Sequence, residues 1–320
     1  MNEILLRPQF NKLKMTEKLT LMQSLADCYN MTFQSLYVFT RWGQSCTTGI
    51  FEKAGREFVF VPGDTVTLGW NQFAVGLEQN CLEELKHLLE EYSYEGSPEH
   101  FLRQYTLPVR VAELPPMLVG RNLEEIGWEP VSFWDSRLQE EHREWLEAFW
   151  RHEHSGIQKY NIVGCAKFER FGTRWQAYLQ HKVTYPQLKE TLKEQGFSLP
   201  TADEWSYLCG GGCRTLFPWG ECIDASMHLR HYEVQGDPRP YDLEEPNFFG
   251  LYIAYDPYKQ EVVESDSLTT CGGDGGCGVC GGLGPMLGYL PCSPHYRPDI
   301  QKDNVINSDF KFYRPVITIQ

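Results

Sequence analysis

The chain has 320 residues, of which 42% are hydrophobic and 22% charged, and its formal net charge is −14. This composition is typical of a globular protein that buries a core without disulfides, and the acidic excess repels a phosphate backbone, so we exclude nucleic acid as a partner. The N-terminal residues lack the basic and apolar regions of a signal peptide and no apolar run is long enough to span a bilayer, so we expect no membrane partner and a cytoplasmic location.

Residues 1–55 are predicted to form an N-terminal extension that packs on a main domain of residues 56–320. The extension combines a helical pattern in LTLMQSLADCY with the strand-like TFQSLYVFTRW, and no linker follows it. Residues 56–70, REFVFVPGDTVTLGW, contain two runs of β-branched and aromatic residues around Pro-Gly-Asp. That pattern predicts a β-hairpin.

Helical spacing of apolar residues predicts helices in LEELKHLLEEY and in SRLQEEHREWLEAFWRHEHSG. Two further helices carry a capping box, in which a threonine is followed three residues later by glutamine or glutamate. The pairs are Thr184 with Gln187 and Thr201 with Glu204. After FPWG the chain is irregular and rich in turns, and it ends in the strand-like FKFYRPVITI. These elements predict a single α+β domain with much loop.

Four of the chain's 11 cysteines lie in TTCGGDGGCGVCGGLGPMLGYLPC, residues 269–292. One interpretation is packing, because free cysteine behaves as a small buried hydrophobe and glycine permits a positive φ and close backbone approach. A second is an iron–sulfur loop, since the spacing of Cys271, Cys277 and Cys280 resembles that of one class of [2Fe–2S] ferredoxins. A third is structural zinc, in which Cys277 and Cys280 are joined either by Cys209 and Cys213 or by Cys222 and Cys292.

A set of short stretches occurs in order from about Arg56 to the end of the chain: EFVFVPGDTVTLGW, VTYPQLKETLKEQGFSLPTADEWSYLCGGG, FPWG, NFFGLY, CGG and FYRPVI. In this order and spacing they resemble the formylglycine-generating enzyme (sulfatase-modifying factor) family. The resemblance implies a loop-rich variant of the C-type-lectin fold.

Catalytic members of that family are copper oxidases that convert a substrate cysteine into formylglycine with molecular oxygen, and two cysteines after a Gly-Gly hold the Cu(I). The resemblance places Cys277 at the first of these positions and Gly282 at the second, and Cys280 is the nearest cysteine to the second. It therefore implies that Cys277 and Cys280 are the copper ligands and catalytic residues. Asp274 stands where the family has serine, and we expect it to accept a proton.

The resemblance also concerns a calcium site and a substrate cleft. The family holds calcium in the stretch after FGLY, but Pro257 and Gln260 replace its Asn and Glu here, so we do not expect calcium. Arg314 of FYR either lines the cleft or pairs with a carboxylate in the core. The expected cleft residues are Trp219, Asn247, Tyr289 and Arg314.

Two functional hypotheses follow. In the first, the protein is a divergent copper- and oxygen-dependent oxidase that acts on a thiol or on another small or peptide substrate. The alternative is a catalytically inactive C-type-lectin-like module that binds a small molecule or a protein through the same cleft. The role of residues 1–55, whether to cover the cleft, recruit a protein partner or form a homodimer, stays open at this point.

Overall fold

A computed structural model of the chain describes residues 3–162, 164–224, 226–232, 238–306 and 310–320. Its helices are α1 (Arg7–Phe10), α2 (Met15–Tyr29), α3 (Gln79–Glu91), α4 (Pro98–Leu102), α5 (Arg143–His152), α6 (Tyr185–Glu194), α7 (Ala202–Gly210), α8 (Cys277–Cys280) and α9 (Gly284–Gly288). Its strands are β1 (Thr32–Arg41), β2 (Gln44–Lys53), β3 (Arg56–Val61), β4 (Asp64–Leu68), β5 (Arg110–Leu114), β6 (Met117–Gly120), β7 (Glu124–Glu125), β8 (Trp128–Val131), β9 (Lys159–Ile162), β10 (Ala166–Phe171), β11 (Arg174–Gln180), β12 (Val183–Thr184), β13 (Gln260–Val263), β14 (Thr269–Gly272), β15 (Asp299–Ile300), β16 (Val305–Ile306), β17 (Lys311–Tyr313) and β18 (Val316–Thr318). This mixture of helices and separate sheets agrees with the predicted α+β class.

The first sheet joins the N-terminal extension to the rest of the chain. It is antiparallel and has the strand order β1-β2-β3-β6-β18. The extension contributes β1 and β2, and β2 pairs with β3 so that Ile50 lies opposite Val59. Apolar side chains of the extension, Phe10 and Met22 among them, share one buried cluster with Phe58 and Phe60 of β3. The extension is therefore continuous with the sheet and the core of the main body.

The hairpin predicted for residues 56–70 is wrong, although both strands form. β3 lies between β2 and β6, whereas β4 pairs with β5 in a separate two-stranded sheet. Between them, the N–H of Gly63 donates to the Leu5 carbonyl at 3.1 Å, and Gly63 accepts from the N–H of Arg7 at 2.7 Å. The backbone groups that a hairpin turn would use are thus bonded to the N-terminal segment.

The turn between β1 and β2 has an unusual residue at its tip. Trp42 and Gly43 both have a positive φ, at 50° and 73°. This geometry favours Asn-Gly, and a left-handed backbone costs a bulky residue about 1–2 kcal/mol. The indole of Trp42 contacts the rings of Tyr255 and Trp219, with centroid separations of 5.3 and 5.7 Å. Those contacts offset the strain.

The second sheet, with the order β8-β11-β10-β9, was not predicted from the sequence. Together with α5 it encloses its own buried cluster, in which the rings of Phe149 and Phe168 stack at 4.4 Å. The helix expected over residues 136–156 is interrupted here. A π-helical turn, Arg137–Glu141, precedes α5, and His142 between them has a non-helical backbone.

Helices α6 and α7 confirm the predicted capping boxes. The Thr184 hydroxyl accepts from the N–H of Gln187, and the Thr201 hydroxyl accepts from the N–H of Glu204. Gly211, with a φ of 60°, terminates α7. The helix buries nearly all of its side chains in the main core, which places the FPWG turn beside that core.

The third sheet, ordered β15-β14-β13-β17-β7, leads directly into the glycine-rich segment through β14. Its β13 and β17 are parallel neighbours. The C-terminal segment that reads as one strand in the sequence is split: β17 belongs to this sheet and β18 to the first. Arg314 and Pro315 connect β17 to β18 and therefore link the two sheets.

Arg314 forms a buried ion pair with Glu261 of β13. Both side chains are fully buried, and the arginine Nε lies 3.3 Å from the glutamate Oε2. The guanidinium also donates to the carbonyls of Gly120 at 2.6 Å and Tyr252 at 2.7 Å. Of the two roles considered for Arg314, the structure shows the core pairing, and the placement in a substrate cleft is corrected. Its donors are used by protein acceptors.

Substituting Arg314 by methionine leaves Glu261 as an unpaired buried charge. We expect Arg314→Met to lower the free energy of unfolding by about 3–5 kcal/mol, because a broken buried pair retains the desolvation cost of the remaining ion. Urea denaturation measures the loss. The control Arg137→Met removes an exposed arginine that pairs with Glu129 and Asp135 and should change stability much less. Equal losses in the two variants would contradict the role given to the buried pair.

Candidate functional site

The glycine-rich loop, residues 273–283, lies against a tight turn formed by residues 256–259. Three of its amides donate to carbonyls of that turn: Gly273 to Lys259 at 2.7 Å, and Asp274 and Gly276 to Pro257 at 2.8 and 3.1 Å. The backbones of the two segments are therefore in direct contact. This turn is the stretch for which the family resemblance considered calcium.

Glycine is required at two positions of this contact. A Cβ on Gly273 would lie 2.2 Å from the Pro257 carbonyl oxygen, and a Cβ on Gly276 would lie 2.2 Å from the ring of Tyr258. Gly276 also has a φ of 83°. The glycine content of the loop thus follows in part from packing, as the first interpretation of the loop expected.

The two cysteines expected to be catalytic lie on one helical turn. Helix α8 begins at Cys277 and ends at Cys280, and both side chains are exposed. Residues three apart on a helix are neighbours, with Cβ atoms about 5–6 Å apart. The Cys280 Sγ lies 3.0 Å from the hydroxyl of Tyr258, and this contact raises the pKa of Tyr258. The two atoms are within hydrogen-bond distance, and either group can be the donor while both are neutral.

Cys277 borders a cavity of about 220 Å³, called here the thiol cavity. Its wall is mostly apolar and aromatic: Phe101, Tyr105, Leu283, Leu287, Leu290, Pro291 and Tyr296, with Asp274, Cys277 and Gly278 as the rest. Asp274 accepts from the N–H of Gly278 through Oδ2, at 3.0 Å. Its Oδ1 is buried and has no hydrogen-bond partner among the described residues. One carboxylate oxygen is therefore left to accept a proton or a hydrogen bond beside the cavity.

The remaining cysteines do not join this thiol pair. Cys271, Cys209 and Cys292 are buried, and burial raises the pKa of each thiol. Within the ranges that the structure describes, no three or more His, Cys, Asp or Glu side chains are grouped to hold a metal. The zinc and iron–sulfur interpretations need such a group, so nothing in the described residues supports them.

The four residues expected in one substrate cleft lie in different places. Trp219 borders a cavity of about 430 Å³, and Tyr289 borders another of about 280 Å³. Asn247 is 1% exposed, and its side chain donates to the Leu208 carbonyl and accepts from the amide of Phe249. The expectation for Asn247 is corrected, as for Arg314: the amide holds a buried turn and borders none of these cavities.

The carboxylates of the 256–261 stretch have protein partners. Asp256 contacts His231 Nε2 at 3.0 Å and accepts from the amide of Tyr258 at 2.9 Å. Glu261 is committed to Arg314 and also accepts from the amide of Ala254 at 3.3 Å. Asp256 therefore positions the turn that holds Tyr258 against the loop.

Comparison with protein-family models and with curated proteins finds no match for this chain. Among the described residues, no helix has the length and apolar character needed to cross a membrane.

The exposure of the thiols predicts their order of alkylation. Under native conditions near neutral pH, iodoacetamide should label Cys277, Cys280 and the exposed Cys28 before the buried cysteines. The thiolate is the nucleophile, and burial raises the pKa of Cys46 to about 11, which leaves little thiolate at that pH. Peptide mass spectrometry at increasing reaction times measures the order. Early labelling of Cys209 or Cys271 would contradict this structure of the loop.

Alanine substitutions at two neighbouring glycines distinguish the cost of backbone strain from the cost of a steric clash. Gly275 and Gly276 both have a positive φ, but only at Gly276 does a Cβ meet the ring of Tyr258. We expect Gly275→Ala to lower the free energy of unfolding by about 1–2 kcal/mol from strain alone. Gly276→Ala should lower it by about 1–3 kcal/mol more, because the ring must move, and it should also accelerate alkylation of Cys280.

Thermal unfolding and alkylation rates of the two variants provide the measurement. If both variants behave alike, Tyr258 does not pack on Gly276 in solution.

Proposed function

We propose that the protein is a divergent formylglycine-generating-enzyme-like oxidase that uses Cys277 and Cys280 as Cu(I) ligands and oxidises a thiol or another small or peptide substrate with molecular oxygen. One observation carries the proposal. Two exposed thiols share one helical turn, and Cys277 opens onto an apolar cavity whose wall includes the unpartnered oxygen of Asp274. The resemblance in sequence supports the reaction type.

The donor set suits Cu(I), which prefers soft thiolates and accepts few ligands. Neighbouring thiols on one turn present two such donors on the same side of the helix. As a thiolate ligand Cys280 can only accept, so the Tyr258 hydroxyl 3.0 Å away would donate to it, orient the ligating sulfur and stabilise its negative charge. Copper bound there would supply the electron transfer to oxygen that side chains alone do not provide.

The chain's own residues supply binding and proton transfer. The aromatic and aliphatic wall of the thiol cavity excludes water and binds the apolar part of a substrate. Asp274 is fixed by its bond to the Gly278 amide, so its free Oδ1 accepts the proton that a substrate thiol loses when it becomes a ligand or nucleophile.

Anaerobic titration with Cu(I) in competition with a chromogenic chelator tests the metal site. The native protein should bind one Cu(I) tightly, and Cys277→Ser and Cys280→Ser should each abolish tight binding because one thiolate alone is a weak site. The same two variants should also lose copper-dependent oxygen consumption in the presence of a small thiol.

Cys28→Ser is the matched control, since Cys28 is an exposed cysteine on α2, outside the loop. It should bind copper as the native protein does. Tight copper binding that survives Cys277→Ser, or no tight binding in the native protein, would refute the proposed oxidase.

The second candidate function, ligand binding without catalysis, is favoured by a different observation. Trp219 borders a cavity to which no residue of the thiol pair contributes. In that case Cys277→Ser leaves ligand affinity unchanged, whereas loss of the Trp219 indole weakens it. The two functions thus depend on different residues.

A further inference from the structure

The cavity beside Trp219, called here the tryptophan cavity, is built from distant parts of the sequence. It has a volume of about 430 Å³, within the range of small-molecule sites. Arg41 and Trp42, at the tip of the β1–β2 hairpin, form one side, and Trp219 and Cys222, in and after the FPWG turn, form another. The N-terminal extension therefore completes a cavity of the main domain.

The aromatic wall of this cavity is packed against further aromatic rings. The rings of Trp42 and Trp219 lie 5.7 Å apart between centroids. Trp219 stacks on Phe217 at 4.9 Å with an interplanar angle of 7°, and its edge meets Tyr255 at 5.5 Å. Trp42 is held in place despite its left-handed backbone. Strained backbone that the surroundings maintain is concentrated at functional sites, which makes the tip a candidate for a role beyond forming a turn.

A cation already lies on this wall. The guanidinium carbon of Arg41 lies 4.5 Å from the centroid of the Trp42 ring. Its charge is offset by Glu245, at 3.7 Å, and by bonds to the carbonyls of Asp242 and Pro246. Arg41 is thus committed to the protein: burial lowers the pKa of its guanidinium, and the neighbouring Glu245 and Asp242 carboxylates offset only part of that shift.

The polar side of the cavity is acidic. Glu78, Asp224, Asp242 and Glu221 border it, against Arg41 as its one basic residue among the described lining. Glu221 is occupied by the amides of Ala74 and Leu216. Asp224 is exposed, and its bond to the Ser226 amide lowers the pKa of the carboxyl, so it is ionised at neutral pH. The cavity therefore combines two indole side chains with an excess of acidic residues in its lining.

We propose that the tryptophan cavity binds an organic cation, an ammonium group carried on a small apolar body, with the ammonium against the indoles and near Asp224. Indole faces attract such ions more strongly than the faces of other aromatic side chains. An acidic rim raises the local concentration of the ligand and discriminates against anions. This site involves neither the thiol pair nor copper, so its test is independent of the oxidase proposal.

Isothermal titration calorimetry with two probes of equal shape tests the proposal. Choline carries the ammonium, and 3,3-dimethyl-1-butanol replaces it by an uncharged carbon centre. Choline should bind about tenfold or more tightly than the alcohol, and added salt should weaken only choline. No binding of choline, or equal binding of both probes, would overturn the proposal.

Variants assign the binding to this cavity. Trp42→Asn removes one indole while providing the residue that the turn prefers, so the protein should remain folded by circular dichroism. We expect Trp42→Asn and Trp219→Ala each to lower choline affinity about tenfold. Asp224→Asn should weaken the binding of choline and leave the binding of the alcohol unchanged. The control Trp134→Ala removes an indole that is 85% exposed and lies in another part of the chain. Choline binding that Trp42→Asn and Trp134→Ala change equally would show that the ligand binds elsewhere.

Discussion

The buried pair of Arg314 and Glu261 is the interaction on which the arrangement of the sheets depends. Arg314 stands between β17 and β18, which belong to different sheets, and Glu261 lies on β13 in the third sheet. The same guanidinium donates hydrogen bonds to the carbonyl of Arg121, which follows β6, and to the carbonyl of Tyr252, which precedes the 256–259 turn. One side chain therefore fixes the first sheet, the third sheet and the segment on which the glycine-rich loop rests. Burying two charges is expensive, and a fold that keeps them needs every donor to be used.

The glycine-rich loop illustrates how packing and chemistry occupy the same residues. Glycines at positions 273 and 276 let the loop approach Pro257 and Tyr258, and that approach brings the phenol to the sulfur of Cys280. A larger residue at position 276 would separate the two. The interpretation of the glycines as a packing device and the assignment of the thiols to a site are thus compatible. The loop is close-packed against the turn, and the thiols of Cys277 and Cys280 remain exposed.

Short-range sequence patterns were sufficient to predict some of the structure. The capping boxes that begin α6 and α7 act within four residues, and both form as predicted. Non-local pairings could not be derived in this way. β3 and β4 read as a hairpin, but β3 pairs with the preceding β2 and the distant β6, and β4 pairs with the distant β5. The second sheet consists of short strands with weak patterns.

The same limit applies to the site. The exposure of Cys277 and Cys280 suits the role expected for them, and the choice of a core partner for Arg314 was among the alternatives considered. The contact of Tyr258 with Cys280 spans 22 residues and has no sequence signature. Trp42 was missed because a tryptophan before a glycine does not predict a turn with positive φ at both residues.

The position of Trp42 has a consequence for how the chain holds together. The hairpin lies at an edge of the first sheet, because among the described strands β1 pairs with β2 alone. Its tip reaches a cavity wall that Trp219 and Cys222 form much later in the chain. A molecule lodged between the two tryptophans would bind the docked hairpin and not the detached one. By mass action its occupancy would suppress fraying of the edge strand, so that amide protons of β1 would exchange more slowly as the ligand concentration rises. The local stability of the N-terminal segment would then depend on whether the cavity is occupied.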